Sequence, residues 1–281
     1  NRFSMGVQDL DENVMAAVNR PQALATVADV VAAIRATGDL PINMDLIYGL
    51  PRQTEASWSD TLDQIIALRP NRLAVYGYAH VPWMKKHQTA LERHDVPDDS
   101  LRAELNSMAR NRFIDAGYQS IGFDHYALPT DELAMAARNG SLNRNFMGYT
   151  TRRGLDLMAL GVSGISSVGG SYAQNHKPLD TWREAVRNHR PSWYRGSVLS
   201  AEDIRRREAI LELSCNFRLN MGRRVDGRTM ASVFEAELER LQPMVTDGLL
   251  TIQDDEIRIT DVGMPFVRNI CMIFDQYLPS A

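Results

Sequence analysis

The amino-acid sequence predicts an α/β fold with a parallel sheet, followed by a small and mostly helical module. Short apolar runs at residues 3–8, 43–48 and 72–78 alternate with helical patterns. Strands separated by about 20–30 residues, with a helix between them, are typical of βαβ units, and such units form parallel sheets. After about residue 197 the helical pattern dominates. These observations together predict a parallel α/β part and a separate C-terminal part.

The composition excludes several classes of protein. The chain has 281 residues, of which 44% are hydrophobic and 23% charged, as is ordinary for a globular protein. Its net charge of −4 gives no long-range attraction for nucleic acid, and no apolar run approaches the ~18 residues of a membrane helix. We therefore predict no nucleic-acid partner and no membrane partner. Cys215 and Cys271 lie in apolar helical patterns, which predicts buried thiols and a reducing cytoplasm.

Helical periodicity fills the segments between the strands. We predict helices at residues 9–18, 21–37 and 54–68, the last of which begins at Thr54 and stops before Pro70. In parallel sheets and barrels, functional residues follow the carboxyl ends of the strands. The residues in such positions here are Gln8, Tyr48-Gly49 and Ala79-His80.

The middle of the chain combines a regular part with a glycine-rich part. Residues 98–117 predict a long helix, and residues 120–123 a short strand with Asp124-His125-Tyr126 at its end. Asp124 and His125 could form an acid–base pair, but the structural interpretation is favoured because no activated Ser or Cys lies nearby. Residues 139–176 are rich in Gly, Ser, Asn and Tyr. They predict a long loop, which in a compact domain is usually functional.

The C-terminal module has the order of a winged-helix domain. We predict helices at residues 200–214 and 230–241, a hairpin at residues 249–260 and a final helix that begins near Phe266. Without a basic surface, DNA binding is disfavoured for this module. The predicted domains are residues 1–196 and residues 197–281.

Individual polar residues give weaker signals. Asp45 lies inside an apolar strand, where an unpaired carboxylate is costly to bury, so it should accept hydrogen bonds from protein or from ligand hydroxyls. Arg20 at a turn is either exposed or clamps a carboxylate. The six histidines show no short metal-ligand spacing, so we predict no zinc site. They stand at positions 80, 87, 94, 125, 176 and 189.

Several segments together resemble one known family. They are Ser4–Asp9, Val18–Arg20, Asp45–Pro51, Tyr78–His80, Asn145–Thr151, Gly161–Ser166, Tyr172–Asn175, Cys215–Arg218 and Arg268–Met272. In this order, and over nearly the whole chain, they are similar to the bacterial oxygen-independent coproporphyrinogen III oxidases. That family belongs to the radical S-adenosylmethionine (SAM) enzymes.

The resemblance implies a fold and an activity. The fold is the C-terminal half of a partial (β/α)6 barrel with a helical, winged-helix-like C-terminal domain. The family binds one SAM at a [4Fe–4S] cluster and a second SAM beside it. Reductive cleavage gives a 5′-deoxyadenosyl radical, which abstracts hydrogen from a propionate of coproporphyrinogen III. Two propionates become vinyl groups, and the product is protoporphyrinogen IX of anaerobic haem biosynthesis.

The resemblance also implies site residues. Gln8, Arg20 and Asp45 would contact the second SAM, whereas Ala79 and Ile165 would contact the cluster-bound SAM. Phe146 and Met147 would line the active site, although some family members have Gln where Met147 stands. For the substrate propionates that the resemblance implies, Arg144 and Arg153 are candidates, because they are cations in the glycine-rich region.

The chain departs from the family in its N-terminal part. The family holds its cluster with three cysteines in a CxxxCxxC run, and this sequence has only two cysteines and no such run. We therefore expect a fragment, inactive alone, whose missing upstream part supplies the cluster cysteines and the first three barrel strands. Residues 3–8 would then form an exposed edge strand.

Partners and alternatives complete the prediction. The resemblance implies a cytoplasmic, monomeric oxidoreductase that takes electrons from a flavodoxin-type reductant. One alternative is a haem-binding or haem-trafficking relative on the same fold. Another is a winged-helix regulator that binds DNA, but the acidic isoelectric point of the chain argues against this alternative.

Overall fold

The computed structural model describes residues 2–93 and 96–278, with the side chains of residues 87, 92 and 93 excepted. His94 therefore lies outside the described residues. The chain divides into two compact units, the first ending at Met135 and the second beginning at Ala136. The predicted domain boundary after residue 196 falls inside the second unit and stays a prediction. No helix among the described residues is long and apolar enough to cross a membrane.

The first unit is built on one five-stranded sheet. Its strands are β1 (Phe3–Gln8), β2 (Ile42–Tyr48), β3 (Arg72–Gly77), β4 (Gln119–Ile121) and β5 (His125–Ala127). The strand order is β1-β2-β3-β5-β4, and β1, β2 and β3 run parallel. The predicted α/β fold is therefore confirmed, and β1 lies at an edge of the sheet as expected. Over the described ranges, this sheet does not close into a barrel.

Strand β5 is an element that the sequence did not predict. Asp124-His125-Tyr126 follows β4 as expected, but His125 and Tyr126 belong to β5, which pairs antiparallel with both β3 and β4. Tyr126 is buried, and its ring packs against that of Phe113 with centroids 5.2 Å apart. Burial of this aromatic side chain fixes the segment on the sheet.

Helices connect the strands of this sheet, and three of them (residues 24–36, 55–68 and 99–115) contribute buried side chains to its core. The helices are α1 (Glu12–Ala17), α2 (Leu24–Ala36), α3 (Glu55–Leu68), α4 (Asp99–Asp115) and α5 (Glu132–Arg138), the last of which spans the division between the units. A 3₁₀ helix of eight residues, Lys86–Arg93, follows β3. Ile42, Met44 and Leu46 of β2 alternate along the strand and are buried in the helix-facing core.

Helix α3 shows how the sequence fixes these elements. Thr54 accepts a hydrogen bond from the backbone N–H of Ser57 in a capping box, and Arg69 ends the helix in the left-handed conformation. Trp58 is fully buried and donates its indole N–H to the carbonyl of Leu105 over 2.9 Å. Burial of such a side chain stabilises the packing by about 2–3 kcal/mol.

The second unit begins with two antiparallel sheets. Their strands are β6 (Asn143–Asn145), β7 (Gly148–Thr150), β8 (Ile165–Val168), β9 (Ser171–Asn175) and β10 (Trp193–Val198), and helix α6 (Leu179–Arg187) lies between β9 and β10 in the chain. Strands β6 and β7 form a hairpin, and β10-β9-β8 form a three-stranded sheet. The prediction of a long loop over residues 139–176 is therefore wrong in part. Gly169 and Gly170 both have positive φ, and they allow the tight β8–β9 turn.

The C-terminal part of this unit follows the predicted order. Its helices are α7 (Ala201–Asn216), α8 (Met230–Val233), α9 (Glu235–Thr246) and α10 (Val267–Met272). Its strands are β11 (Arg218–Asn220), β12 (Arg224–Val225), β13 (Arg228–Thr229), β14 (Leu250–Gln253) and β15 (Glu256–Ile259). The predicted hairpin is confirmed as β14–β15, joined by Asp254 and Asp255, which both have positive φ. A 3₁₀ turn, Met264–Phe266, precedes α10.

Candidate functional site

The face of the first-unit sheet opposite its main core carries polar side chains. Side chains alternate between the two faces of a strand, so Asn43, Asp45 and Ile47 point away from the core that receives Met44 and Leu46. Asp45 is the fourth of the seven residues of β2 and not at its end. Its carboxylate therefore lies on the open face of the sheet, below the carboxyl edge where the sequence places the functional residues.

The strand register places two small residues beside Asp45. Gly6 of β1 and Ala74 of β3 are its direct neighbours in the sheet, and His125 of β5 is the next residue beyond Ala74. Directly opposite residues in neighbouring strands project to the same face. Within the sheet, a hydrogen atom and a methyl group therefore flank the carboxylate, and Asp45 itself is partly exposed on this face.

The hydrogen bonds of Asp45 leave acceptor capacity unused. The buried Asn43 donates from Nδ2 to Oδ1 of Asp45 over 2.8 Å and to Oγ of Ser4 over 2.8 Å. Within the described ranges, no donor of the chain reaches Oδ2 of Asp45. An ionised carboxylate has about four lone-pair sites. The arrangement can accept ligand hydroxyl groups, such as those of a ribose.

The end of β1 brings two other predicted residues to the same place. The strand register shifts between Gly6 and Gln8, and Gln8 has φ 71°. A side chain added at Gly6 would collide with the amide of Gln8 and would lie 3.5 Å from the guanidinium of Arg20. Arg20 donates to the carbonyl of Gly6 over 2.7 Å. Gln8 and Arg20 therefore converge over the residue that pairs with Asp45.

A buried carboxylate that the sequence reasoning missed holds the ends of β1 and β2 together. Asp9 accepts hydrogen bonds from the backbone N–H groups of Leu10 and Asp11, at 2.6 and 2.8 Å. It also accepts from Oγ1 of Thr61 over 2.7 Å and from the amide of Gln53. Desolvation by burial raises the pKa of Asp9, against the lowering effect of these four donors.

Gln53 completes this connection. Its Oε1 accepts from the backbone N–H groups of Gly49 and Leu50, which follow β2. Its amide nitrogen donates to Asp9 and to the carbonyl of Ile47, the latter over 3.2 Å. One buried side chain thus ties the loop after β2 to the residue after β1. No local sequence signal identifies it, because Asp9 and Gln53 are 44 residues apart.

Ala79 lies in the loop after β3. The N–H of Tyr78 donates to the carbonyl of Tyr48 over 2.8 Å, which joins the ends of β3 and β2. Gln88 donates to the carbonyl of Ala79 over 3.0 Å and accepts from the N–H of Val81 over 2.7 Å. Ala79 is exposed at the carboxyl edge, where the sequence predicts it.

Asp124 and His125 lie on the same sheet. Nδ1 of His125 and Oδ1 of Asp124 are 2.6 Å apart, and the edge of the Tyr76 ring faces the His125 ring at 6.0 Å between centroids. Both side chains of the pair are largely buried. The pair is present as a contact, and its role as an acid–base pair stays a hypothesis.

In the second unit, Phe146 and Met147 form the tip of the β6–β7 hairpin. The backbone N–H of Met147 donates to Oδ1 of Asn145 over 2.8 Å, which stabilises the turn. The Met147 side chain is 84% exposed, and that of Phe146 is about half exposed. Phe146 lines a pocket of about 230 Å³ together with Ile165, and its ring packs edge-on against Tyr172 at 5.3 Å. The structure thus brings two predicted site residues, Phe146 and Ile165, together.

A larger cavity of about 380 Å³ adjoins Phe146 and Tyr172 in the second unit. Three arginines line it, namely Arg144, Arg153 and Arg207. The sequence indicated the first two as candidates, but it did not single out Arg207. A signal was available, because Arg207 and Leu211 are four residues apart, as are Glu208 and Glu212, so each pair lies on successive turns of α7.

The described residues do not fit an iron–sulfur cluster. No group of three or more His, Cys, Asp or Glu among them could hold a metal ion. Burial raises the pKa of Cys215 to about 11 and that of Cys271 to about 12. Cluster ligation needs thiolates, so these two residues are structural thiols.

The fold and the site define an α/β protein that presents polar side chains on the open face of a parallel sheet. A solved structure of coproporphyrinogen III oxidase from Escherichia coli, described as a radical SAM enzyme, matches it with a TM-score of 0.91 at 38% identity. The match covers 99% of this chain and 64% of that one. No family model matches the chain.

Curated relatives carry the same description. An oxygen-independent coproporphyrinogen III oxidase from Salmonella typhimurium is 41% identical over 280 residues, which cover 99% of this chain and 61% of the relative. One from Thermostichus vulcanus is 40% identical over 281 residues, which cover 99% of this chain and 86% of the relative. The chain belongs to the oxygen-independent coproporphyrinogen III oxidase family. It spans about three fifths of the length of the Salmonella relative.

Proposed function

We propose that this chain is the part of a radical SAM oxidoreductase that binds SAM and coproporphyrinogen III in anaerobic haem biosynthesis. The observation that carries the proposal is the convergence of Gln8 and Arg20 over Gly6, the strand neighbour of Asp45, in a chain 41% identical to an oxygen-independent coproporphyrinogen III oxidase. When bound, SAM supplies the 5′-deoxyadenosyl radical that abstracts a hydrogen atom from a substrate propionate. The substrate radical would then lose carbon dioxide and pass one electron to an acceptor outside this chain, which leaves a vinyl group, and two such conversions would give protoporphyrinogen IX.

The first-unit residues have roles in holding SAM. Oδ2 of Asp45 accepts a hydrogen bond from a ribose hydroxyl, because no donor in the described part of the chain engages it. The guanidinium of Arg20 is exposed beside Gly6 and is suited to the carboxylate of SAM. Gln8 contributes its amide at the same place. The support for this assignment is the convergence of Gln8 and Arg20 over the neighbour of Asp45.

Other predicted residues contribute backbone and apolar contacts. Ala79 offers exposed backbone at the end of β3, and Ile165 offers an apolar wall in the second unit. Phe146 and Met147 line the active site from the hairpin tip. A second SAM molecule per active site is part of the proposal, as are a monomeric state and a cytoplasmic location.

The cluster is proposed to be held elsewhere in the protein. Neither cysteine of this chain is suited to ligate it, since both thiols are buried. We therefore assign its three cysteines to sequence upstream of this chain. A flavodoxin-type reductant is the proposed electron donor. The 281-residue chain alone is expected to bind SAM without turnover.

The test is an anaerobic assay of a chimaera. The chain is joined to the part of the Salmonella typhimurium relative that its match does not cover. After cluster reconstitution, with SAM and reductant, we expect conversion of coproporphyrinogen III to protoporphyrinogen IX, detected by chromatography after oxidation. The chimaera with Asp45→Asn is the matched control and should lose most of this activity. A folded, cluster-loaded chimaera that binds haem stoichiometrically but decarboxylates nothing would support the haem-trafficking alternative.

A further inference from the structure

We infer that the arginine-lined cavity of the second unit binds the carboxylate arms of a pyrrole-containing substrate. The inference rests on the proposed function and assigns the place where the propionates are held. The cavity measures about 380 Å³, which is within the range of ligand sites. It is too small for a whole tetrapyrrole, so it takes one edge of the ring system with its acidic side chains.

Charge is the first observation that points to an acidic ligand. The guanidiniums of Arg144, Arg153 and Arg207 line the cavity, whereas its carboxylates are Glu208 and Glu212. Both carboxylates already have another partner. Arg223 donates to Glu212 over 2.8 Å and lies 3.3 Å from Glu208. The lining therefore carries more positive than negative charge, and its carboxylates are shared.

Arg207 forms few polar contacts with the rest of the chain. Over the described ranges it has no carboxylate partner, and its one recorded hydrogen bond, to the hydroxyl of Tyr172, is long at 3.4 Å. Its side chain is half-buried on α7. Arg153 makes only a loose contact with Glu212 at 3.5 Å, and its side chain is 59% exposed. Both guanidiniums can form paired hydrogen bonds with a carboxylate that enters the cavity.

A buried acceptor supplies the second, independent observation. Oδ1 of Asn216, which also lines the cavity, is buried and has no hydrogen-bond partner within the described residues. The Nδ2 of Asn216 donates to the carbonyl of Leu142, and this hydrogen bond fixes the orientation of the amide group. A buried acceptor without a donor costs about 1–3 kcal/mol. A ligand or a water molecule that donates to this oxygen would relieve that cost.

Apolar and aromatic groups complete the lining. Leu155, Leu157 and Leu211 contribute alkyl surface, and Phe146 with Tyr172 forms an edge-on aromatic pair at 5.3 Å. A ligand suited to this lining has an apolar or aromatic body and carboxylates on flexible arms. The propionate-bearing edge of a tetrapyrrole has both features, whereas an inorganic anion has one.

The experiment uses the 281-residue chain and coproporphyrin III, the stable oxidised form of the proposed substrate, as a fluorescent probe. The matched ligand is its tetra-amide, which keeps the ring and removes the charges. We expect the acid to bind at least about tenfold more tightly than the amide. Arg207→Gln and Arg153→Gln should each weaken binding of the acid about tenfold and leave binding of the amide unchanged.

Controls separate this inference from a folding defect and from the proposed function. Arg183→Gln removes an exposed arginine of α6 that does not line the cavity, and it should leave both affinities unchanged. Arg153 is exposed enough for its variant to fold even if Arg207→Gln does not. SAM affinity is measured on the same samples. Loss of SAM binding with the porphyrin results intact would overturn the proposed function alone.

The inference is overturned if the wild-type chain does not bind coproporphyrin III, or if the acid and the amide bind equally. It is also overturned if both arginine variants bind the acid as the wild type does. In each of these cases, intact SAM binding and activity of the chimaera would leave the proposed function standing.

Discussion

Asn43 donates a hydrogen bond from Nδ2 to Oδ1 of Asp45 over 2.8 Å, along one strand and on the open face of the sheet. The two residues are separated by one position, so they project to the same side. Asn43 donates its second amide hydrogen to the hydroxyl of Ser4 on the neighbouring strand. This side chain thus fixes the orientation of the Asp45 carboxylate and leaves its other oxygen for a ligand.

Asn43→Ala should destabilise the chain by about 1–3 kcal/mol, because it leaves the inner oxygen of Asp45 without its donor. Urea unfolding followed by circular dichroism measures the change. Ser4→Ala removes the exposed acceptor of the other Asn43 hydrogen bond; it is the control and should cost less than about 1 kcal/mol. Equal costs for the two variants would contradict the specific role of Asn43.

Asp9 should give the chain a distinct pH dependence. Burial raises its pKa above the ordinary value of 3.8, so the folded chain keeps a proton that the unfolded chain has lost. The stability contributed by this proton is fully present below pH 3.8 and is lost as the pH rises through the folded-state pKa. The difference in unfolding free energy between the wild type and Asp9→Asn should therefore fall as the pH rises from that value.

Urea titrations of both proteins over a series of pH values give this difference directly. Asp29→Asn, which removes an exposed carboxyl from α2, is the control for the loss of a charge. A difference that grows with pH would mean that the four hydrogen bonds of Asp9 outweigh its desolvation and that its pKa is lowered.

The two thiols should be unreactive in the folded chain. With pKa values of about 11 and about 12, Cys215 and Cys271 hold little thiolate at neutral pH. Alkylation by iodoacetamide near neutral pH should be at least about a hundredfold slower in the native state than in concentrated guanidinium chloride. Mass spectrometry counts the labels. Rapid labelling of either native cysteine would show an accessible thiolate and would reopen the question of metal ligation.

Much of the first unit could be predicted from the sequence because its signals are local. The apolar runs of β1, β2 and β3, the cap at Thr54 and the spacing of the helices all lie within short windows. The antiparallel β5 could not be predicted, because its three residues find their place only through the burial of Tyr126 against Phe113. The Asp9–Gln53 connection likewise exists only after folding.

The second unit was harder to predict because glycine and polar residues conceal its strands. Residues 139–176 look like a loop by composition, yet Gly169-Gly170 is a hairpin-turn signal of the kind that favours a tight two-residue turn. The arginine-lined cavity combines the β6–β7 region with one face of α7. Periodicity predicts that face as helical, but it does not indicate which distant segment the face meets.

The central claim is that the Asp45 carboxylate on the open sheet face binds SAM, and equilibrium dialysis of radiolabelled SAM against the 281-residue chain tests it most directly. Asp45→Asn, compared with the wild type and with the exposed control Asp29→Asn, removes the charge with little change in volume. We predict that Asp45→Asn weakens SAM binding about 10- to 100-fold, as expected for the loss of a hydrogen bond to a charged group, while Asp29→Asn binds as the wild type does. Equal SAM affinity for all three proteins, each shown to be folded, would contradict the claim.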